Sequence, residues 1–193
     1  FTLAGEASAN RIARWNGTSW VAMGTGMSSA SSGISFVRAL VVLSNGDLIA
    51  GGEFTTAGGV AASSVARWNG TSWSALGAGI SGVYALAVVP NGDLIAGGAF
   101  TFAGGAPANY IVRWNGASWS ALGTGLGGTS GGVTVLTVLP NGDLIAGGGF
   151  TTAGGAAANY IARWNGTSWS TFGTGMSSYV FALTVLPNGD LIA

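Results

Sequence analysis

Apolar positions along this chain fall in short runs closed by turn residues, and no 3.6-residue rhythm of an amphipathic helix appears. The apolar run 83–89 ends at Pro90-Asn91-Gly92-Asp93, and a second apolar run, 94–98, follows at once. Asn-Gly between two such runs predicts a β-hairpin with a type I′ turn, in which both central residues take φ > 0. The stretch 100–108 reads as a Gly/Ala-rich connection, and 110–114 as a third strand. Asn115-Gly116 then marks a second tight hairpin, with 118–122 as the fourth strand. With Gly at 36 of 193 positions, helix is not expected.

This unit recurs. Phe-Thr begins at Phe1, Phe54, Phe100 and Phe150; Arg-Trp-Asn-Gly carries Trp15, Trp68, Trp114 and Trp164; Asn-Gly-Asp-Leu-Ile-Ala begins at Asn45, Asn91, Asn141 and Asn188. The Trp spacings are 53, 46 and 50 residues. A period of about 40–50 residues with several strands per unit predicts a β-propeller. The strands of each blade are called a, b, c and d from the axis outward. Length varies only between the second Trp of a repeat (Trp20, Trp73, Trp119, Trp169) and the next Asn-Gly-Asp, over 25, 18, 22 and 19 residues.

The expected architecture is all-β, a single domain with four blades of four antiparallel strands. Blade 2 spans 34–77, blade 3 spans 83–123 and blade 4 spans 133–173. Blade 1 is split, with strands c–d in 1–23 and strands a–b in 179–193. Two closures complete the split blade: a four-bladed ring within one chain, or an eight-bladed ring built by a homodimer. The dimer is favoured, because Gly- and Ala-rich strands suit nearly parallel blades at close spacing.

The greasy composition, 48% hydrophobic and 6% charged, fits blades buried on both faces. No apolar run reaches the ~18 residues of a membrane-spanning helix. Six Arg balance six acids, with no Lys, His or Cys. That excludes disulfides, thiolate metal sites and the commonest general base, and no basic patch suggests nucleic acid. No enzyme, cofactor or metal is expected.

Strand b closes on a Gly pair (Gly51-Gly52, Gly97-Gly98, Gly147-Gly148), strand c on an aromatic, and a Trp follows on strand d. This order resembles the kelch repeat, in particular the divergent Trp-Asn-Gly-rich versions of large bacterial surface or secreted proteins. The resemblance covers the whole chain. It implies a propeller, and an extracellular or cell-surface setting if the sequence is natural.

The recurring residues have mostly structural readings. The Gly pairs let neighbouring blades approach, since neither a helix-opening G-x-G-x-x-G nor a Walker Lys is present. The eight Trp residues, 15, 20, 68, 73, 114, 119, 164 and 169, are expected to fill the interblade wedge, with sugar stacking the alternative. Asp47, Asp93, Asp143 and Asp190 open strand b, beside the Arg67, Arg113, Arg163 and Arg14 that end strand c, which predicts one ion pair per blade. One carboxylate per blade is too few for calcium. Asn16-Gly-Thr, Asn69-Gly-Thr and Asn165-Gly-Thr match the glycosylation sequon, but the tight turn explains them together with Asn115-Gly-Ala. A ligand face is expected where propellers usually carry it, on the d–a and b–c loops: segments 24–36, 78–83, 124–133 and 174–180, with Asn109, Tyr110, Asn159 and Tyr160. The function expected is a non-enzymatic repeat scaffold or interaction module, or a piece, natural or engineered, of a larger propeller, with a multivalent carbohydrate-binding propeller the alternative.

Overall fold

In the computed structural model the described residues are 1–30, 35–128 and 132–193. The variable segments 24–36 and 124–133 thus lie partly outside them. The described residues form strands and turns without helix. Three four-stranded antiparallel sheets follow one another, each in the order a–b–c–d. Blade 2 comprises Phe36–Val42, Leu48–Glu53, Val65–Trp68 and Trp73–Ala75. Blade 3 comprises Val83–Val88, Leu94–Gly98, Ile111–Trp114 and Trp119–Ala121. Blade 4 comprises Val133–Val138, Leu144–Gly148, Ile161–Trp164 and Trp169–Thr171. Strand a of blade 3 packs against strand a of both neighbours, which makes it the innermost strand.

At the two ends stand half-blades. Ala13–Trp15 pairs with Trp20–Ala22, and Thr184–Val185 pairs with Leu191–Ile192, as separate two-stranded sheets. The chain therefore does not close a four-bladed ring on itself. The cost shows in strand a of blade 2, where Phe36, Leu40 and Val42 are exposed on the face that has no neighbour.

The hydrophobic core is divided into three clusters, and each lies between successive blades. Glycine decides how closely the sheets approach. A Cβ on Gly97 would stand 2.5 Å from Val133 Cγ1 of the next blade, and one on Gly147 2.7 Å from Val180 Cγ1. The second glycine of each pair serves its own sheet: a Cβ on Gly98 would collide with the carbonyl oxygen of Gly82.

Two turn assignments change. In the a–b hairpin only the glycine takes φ > 0, +87° at Gly92, while Asn91 does not. Val89 N donates to Asp93 O and Gly92 N to Val89 O. This is a three-residue loop, a type I turn ending in a left-handed glycine, and it suits Pro90 at its second position. The type I′ geometry appears instead in the b–c connection, which is itself a hairpin. Thr56–Ala57 pairs with Val60–Ala61 around Gly58 (φ +58°) and Gly59 (φ +86°), and the pairing recurs at Phe102–Ala103 with Ala106–Pro107 and at Thr152–Ala153 with Ala156–Ala157.

These small hairpins also join blades. Met27–Ser28, past strand d of the first half-blade, pairs with Thr56–Ala57 of blade 2, and Leu126–Gly127 past blade 3 pairs with Thr152–Ala153 of blade 4. A single bridge, Ile80 to Ala103, does the same between blades 2 and 3.

Candidate functional site

Most recurring polar and aromatic residues are occupied in holding blades together. Trp73, Trp119 and Trp169 donate their indole N–H to the carbonyl oxygens of Met23, Leu76 and Leu122 in the preceding blade, at 2.8, 3.0 and 2.9 Å. Trp68, Trp114 and Trp164 lie against these rings at 5.2–5.3 Å between centroids. They also reach the preceding blade: a Cβ on Gly77 would stand 2.7 Å from Trp114 Cζ3. Trp15 and Trp20 have no preceding blade and remain 52% and 47% exposed.

Arg67 Nη2 meets Asp47 Oδ2 at 2.5 Å, Arg163 Nη2 meets Asp143 Oδ2 at 2.5 Å, and Arg113 Nε meets Asp93 Oδ2 at 3.6 Å. Each of these carboxylates also accepts from the amide of the turn Asn two residues before it. Arg14 and Asp190 lie in the separate end sheets, both exposed, and form no ion pair among the described residues. The Asn of each c–d turn is held too. Asn69 Oδ1 accepts from the backbone N–H groups of Thr71 and Ser72, so the carboxamide shapes the loop.

Asn109 and Asn159, expected on a ligand face, pin the d–a segments. Their Nδ2 groups donate to Thr124 O and Thr174 O at 3.1 and 3.2 Å, and their carbonyls accept from Leu126 N and Met176 N. Tyr110 and Tyr160 hold left-handed backbone, φ +64° in each, as do Arg11 and Ser64 at the same place in the other repeats. There the Tyr110 N–H donates to Phe100 O and its carbonyl accepts from Gly98 N, which accounts for the conformation as a sharp entry into strand c.

A different set of residues converges where repetition fails. In strand a the ladder register shifts between Val37 and Ala39, Val83 and Ala85, and Val133 and Val135. The bulged residues are Arg38, Tyr84 and Thr134, and the same place in the last half-blade, counted back from Asn-Gly-Asp, holds Phe181. Val always precedes this position, and Ala or Val and then Leu follow, while the position itself carries four different side chains. A bulge bends its strand and re-aims its side chain. The three bulged side chains and Phe181 line one cavity at the d–a end of the innermost strands, which Phe36 also lines.

Arg38 organises this cavity. Its guanidinium lies 5.1 Å from the Phe36 ring centroid and 5.0 Å from that of Tyr84. Nε and Nη2 both reach Glu53 Oε1, at 2.7 and 2.6 Å. The Thr134 hydroxyl lies within hydrogen-bonding reach of the carbonyls of Gly147 and Val180, between which its one proton is shared. Phe181 is 73% exposed, and Tyr179 stacks beside it at 5.9 Å. Sequence reasoning missed this cavity because it followed residues that repeat. The available signal was the position between the constant Val and the Ala or Val of strand a, which carries four different side chains, together with Glu53, an acid no other repeat has there.

Among the described residues no group of three or more acids could hold a metal ion, and no helix is long and apolar enough to cross a membrane. A search of curated proteins finds no match. The extracellular domain of a one-component system from B. thetaiotaomicron is similar in fold, with TM-score 0.52 and 8% identity over 81% of this chain and 20% of that one. A protein of unknown function from Dyadobacter fermentans gives TM-score 0.53 and 16% identity over 91% of this chain and 60% of that one. The chain thus spans a fifth of the first structure and three-fifths of the second, and at these identities the likeness is one of fold. The sequence itself matches a family over residues 31–191, nearly its whole length, and the chain belongs to that family, the Rax2 C-terminal β-propeller domain.

Proposed function

We propose that this chain is a non-catalytic interaction module that recognises its partner at the axial cavity. The observation that carries the reading is one position of strand a: between a constant Val and a small apolar residue followed by Leu, it presents Arg38, Tyr84, Thr134 and Phe181 to one space. Repetition serves the scaffold, and departure from repetition at a re-aimed position serves recognition. Exposed aromatics beside a stacked guanidinium have the composition of protein-binding hot spots. An extracellular setting is part of the proposal, and the fold likeness to an extracellular domain is in keeping with it. Peptides selected on the wild-type chain should lose affinity about tenfold or more for the triple variant R38A/Y84A/F181A. Binders indifferent to those changes would refute the assignment, and reproducible turnover in a broad hydrolase screen would overturn the non-catalytic reading.

The proposal extends to assembly, an eight-bladed ring of two chains with kelch-like blades. Its support is complementarity between the half-blades. Trp20 at one end lacks the carbonyl that its counterparts bind, and at the other end Phe172 and Gly173 occupy the places of Leu76-Gly77 and Leu122-Gly123. Nothing lies within 4 Å of where a Gly173 side chain would be. In the ring, Arg14 of one copy would meet Asp190 of the other. Further repeats of the same kind would make the same contacts. Light scattering on the eluting protein decides: two chain masses support the ring, and one rejects it.

A further inference from the structure

A second cavity, a groove of about 440 Å³, opens between blades 3 and 4 on the opposite side, beside the a–b and c–d turns. Asp93 and Arg113 form one wall, and Asn141, Asp143, Trp164 and Asn165 the other. All belong to complete blades of one chain, so the groove depends neither on ring closure nor on the axial cavity.

The ion pair in this wall differs from its two counterparts. Arg67 and Arg163 spend Nη2 on their carboxylates, whereas Arg113 uses Nε. Neither Nη group of Arg113 makes a hydrogen bond among the described residues, on a side chain 46% exposed. The carboxylates keep capacity as well. Asn91 and Asn141 donate to Oδ2 of Asp93 and Asp143, and the Oδ1 atoms have no partner among the described residues. Trp164 is half-buried, with its ring edge over Gly123 and the ring bordering the groove.

We infer that this groove binds a neutral pyranose unit of an oligosaccharide. A pyranose has an apolar C–H face and a rim of hydroxyls. The face matches the Trp164 ring. Hydroxyl oxygens accept from the Arg113 fork, and hydroxyl protons go to the free carboxylate oxygens. Asp143 is compensated by Arg163 and Asp93 by Arg113, so the groove holds no surplus cation to favour a phosphate or sulfated sugar over a neutral one. The volume lies within the range of small-molecule sites, about 300–1,000 Å³. Between blades 2 and 3 the corresponding Arg67 is drawn onto Asp47 through Nη2 at 2.5 Å, so one site per chain is expected.

The test is titration of the full chain with cellohexaose, chitohexaose and mannohexaose to about 5 mM, a range that reveals millimolar binding. The readout is the indole N–H resonances. At least one sugar should move Trp164 and leave its counterpart Trp114 in place, with one site per chain. Arg113→Gln should weaken binding about tenfold or more, and Arg113→Lys, which keeps the charge but loses the fork, should weaken it too. Arg67→Gln, at the counterpart, should leave affinity unchanged. Each variant must retain the wild-type spectral dispersion. The inference is overturned if no sugar moves Trp164, if neither Arg113 variant weakens binding, or if Arg67→Gln weakens it equally. A response confined to the axial aromatics would also overturn it, while leaving the axial reading intact.

Discussion

Trp119 and Trp20 occupy the same position of the repeat, and substituting each by Ala separates blade stacking from intrinsic strand stability. Trp119 is 8% exposed and donates its indole N–H to Leu76 O, while Trp20 is 47% exposed and has no such acceptor. Complete burial of a large aromatic, about 200 Å² at ~25 cal/mol per Å², is worth about 5 kcal/mol. For Trp20, about half of that applies, roughly 2–3 kcal/mol. For Trp119 nearly all of it applies, and the buried Leu76 carbonyl is left without its donor, a further ~1–3 kcal/mol before relaxation. Partial collapse of the site brings the total back toward the ~3–5 kcal/mol typical of buried Trp. Trp119→Ala should therefore cost about 2 kcal/mol more than Trp20→Ala. Trp119→Phe should fall between, because the ring stays and the hydrogen bond goes. Urea unfolding followed by far-UV circular dichroism measures all three, at dilutions where light scattering finds single chains. Equal costs for Trp20 and Trp119 in the monomeric chain would refute the claim that the preceding blade supplies the difference. A Trp20→Ala cost that grows with protein concentration is the outcome expected once a second copy covers that end.

Three further outcomes follow from the contacts. Gly97→Ala gains ~0.4–1 kcal/mol from a less flexible unfolded chain but must overpack against Val133, which costs ~1–3 kcal/mol, so a net loss of about 1–2 kcal/mol is expected by chemical denaturation. Gly98→Ala, whose new methyl would collide with the Gly82 carbonyl in a ladder that cannot shift, should lose more than Gly97→Ala in the same assay. Arg67→Gln strips the nearly buried Asp47 of its cation and should cost about 1–2 kcal/mol, whereas Arg38→Gln, breaking a pair 44% and 40% exposed, should cost under about 1 kcal/mol. Thermal melts of the two variants side by side check the ordering.

The four-strand unit was legible because its evidence is local and repeated. The paired turns, the apolar runs and the constant Phe-to-Trp spacing all restate one geometry. The b–c hairpins were hidden because their strands are only two residues long and set around Gly-Gly, mostly with Ala, which composition reads as loop. The a–b turn misled for a related reason: Asn-Gly serves two hairpin types, and Pro90, which presets the first central residue of a type I turn, was the discriminating residue. Pairing of Asp47 with Arg67 could be argued from antiparallel register, but which nitrogen of each Arg would engage depends on packing that no local pattern encodes. The axial cavity was invisible for the opposite reason. Its residues come from four repeats, and their likeness lies in position while their identities differ.

The short pairings between Met27–Ser28 and Thr56–Ala57 and between Leu126–Gly127 and Thr152–Ala153 have a consequence for cooperativity. In a linear array of units, the coupling between neighbours sets whether the array melts as one or frays unit by unit. Hydrophobic contact alone couples blades through side chains that can rearrange. A backbone ladder crossing the junction adds a directional, register-specific link near the start of the d–a segment. That segment is anchored at its start, so inserted residues can loop out beyond the anchor without disturbing the junction, which is where the repeats differ in length. Of the three junctions linked in this way, that between blades 2 and 3, held by the single Ile80–Ala103 bridge, is then the weakest. Amide hydrogen exchange should open first across it, dividing the molecule into two cooperative blocks there.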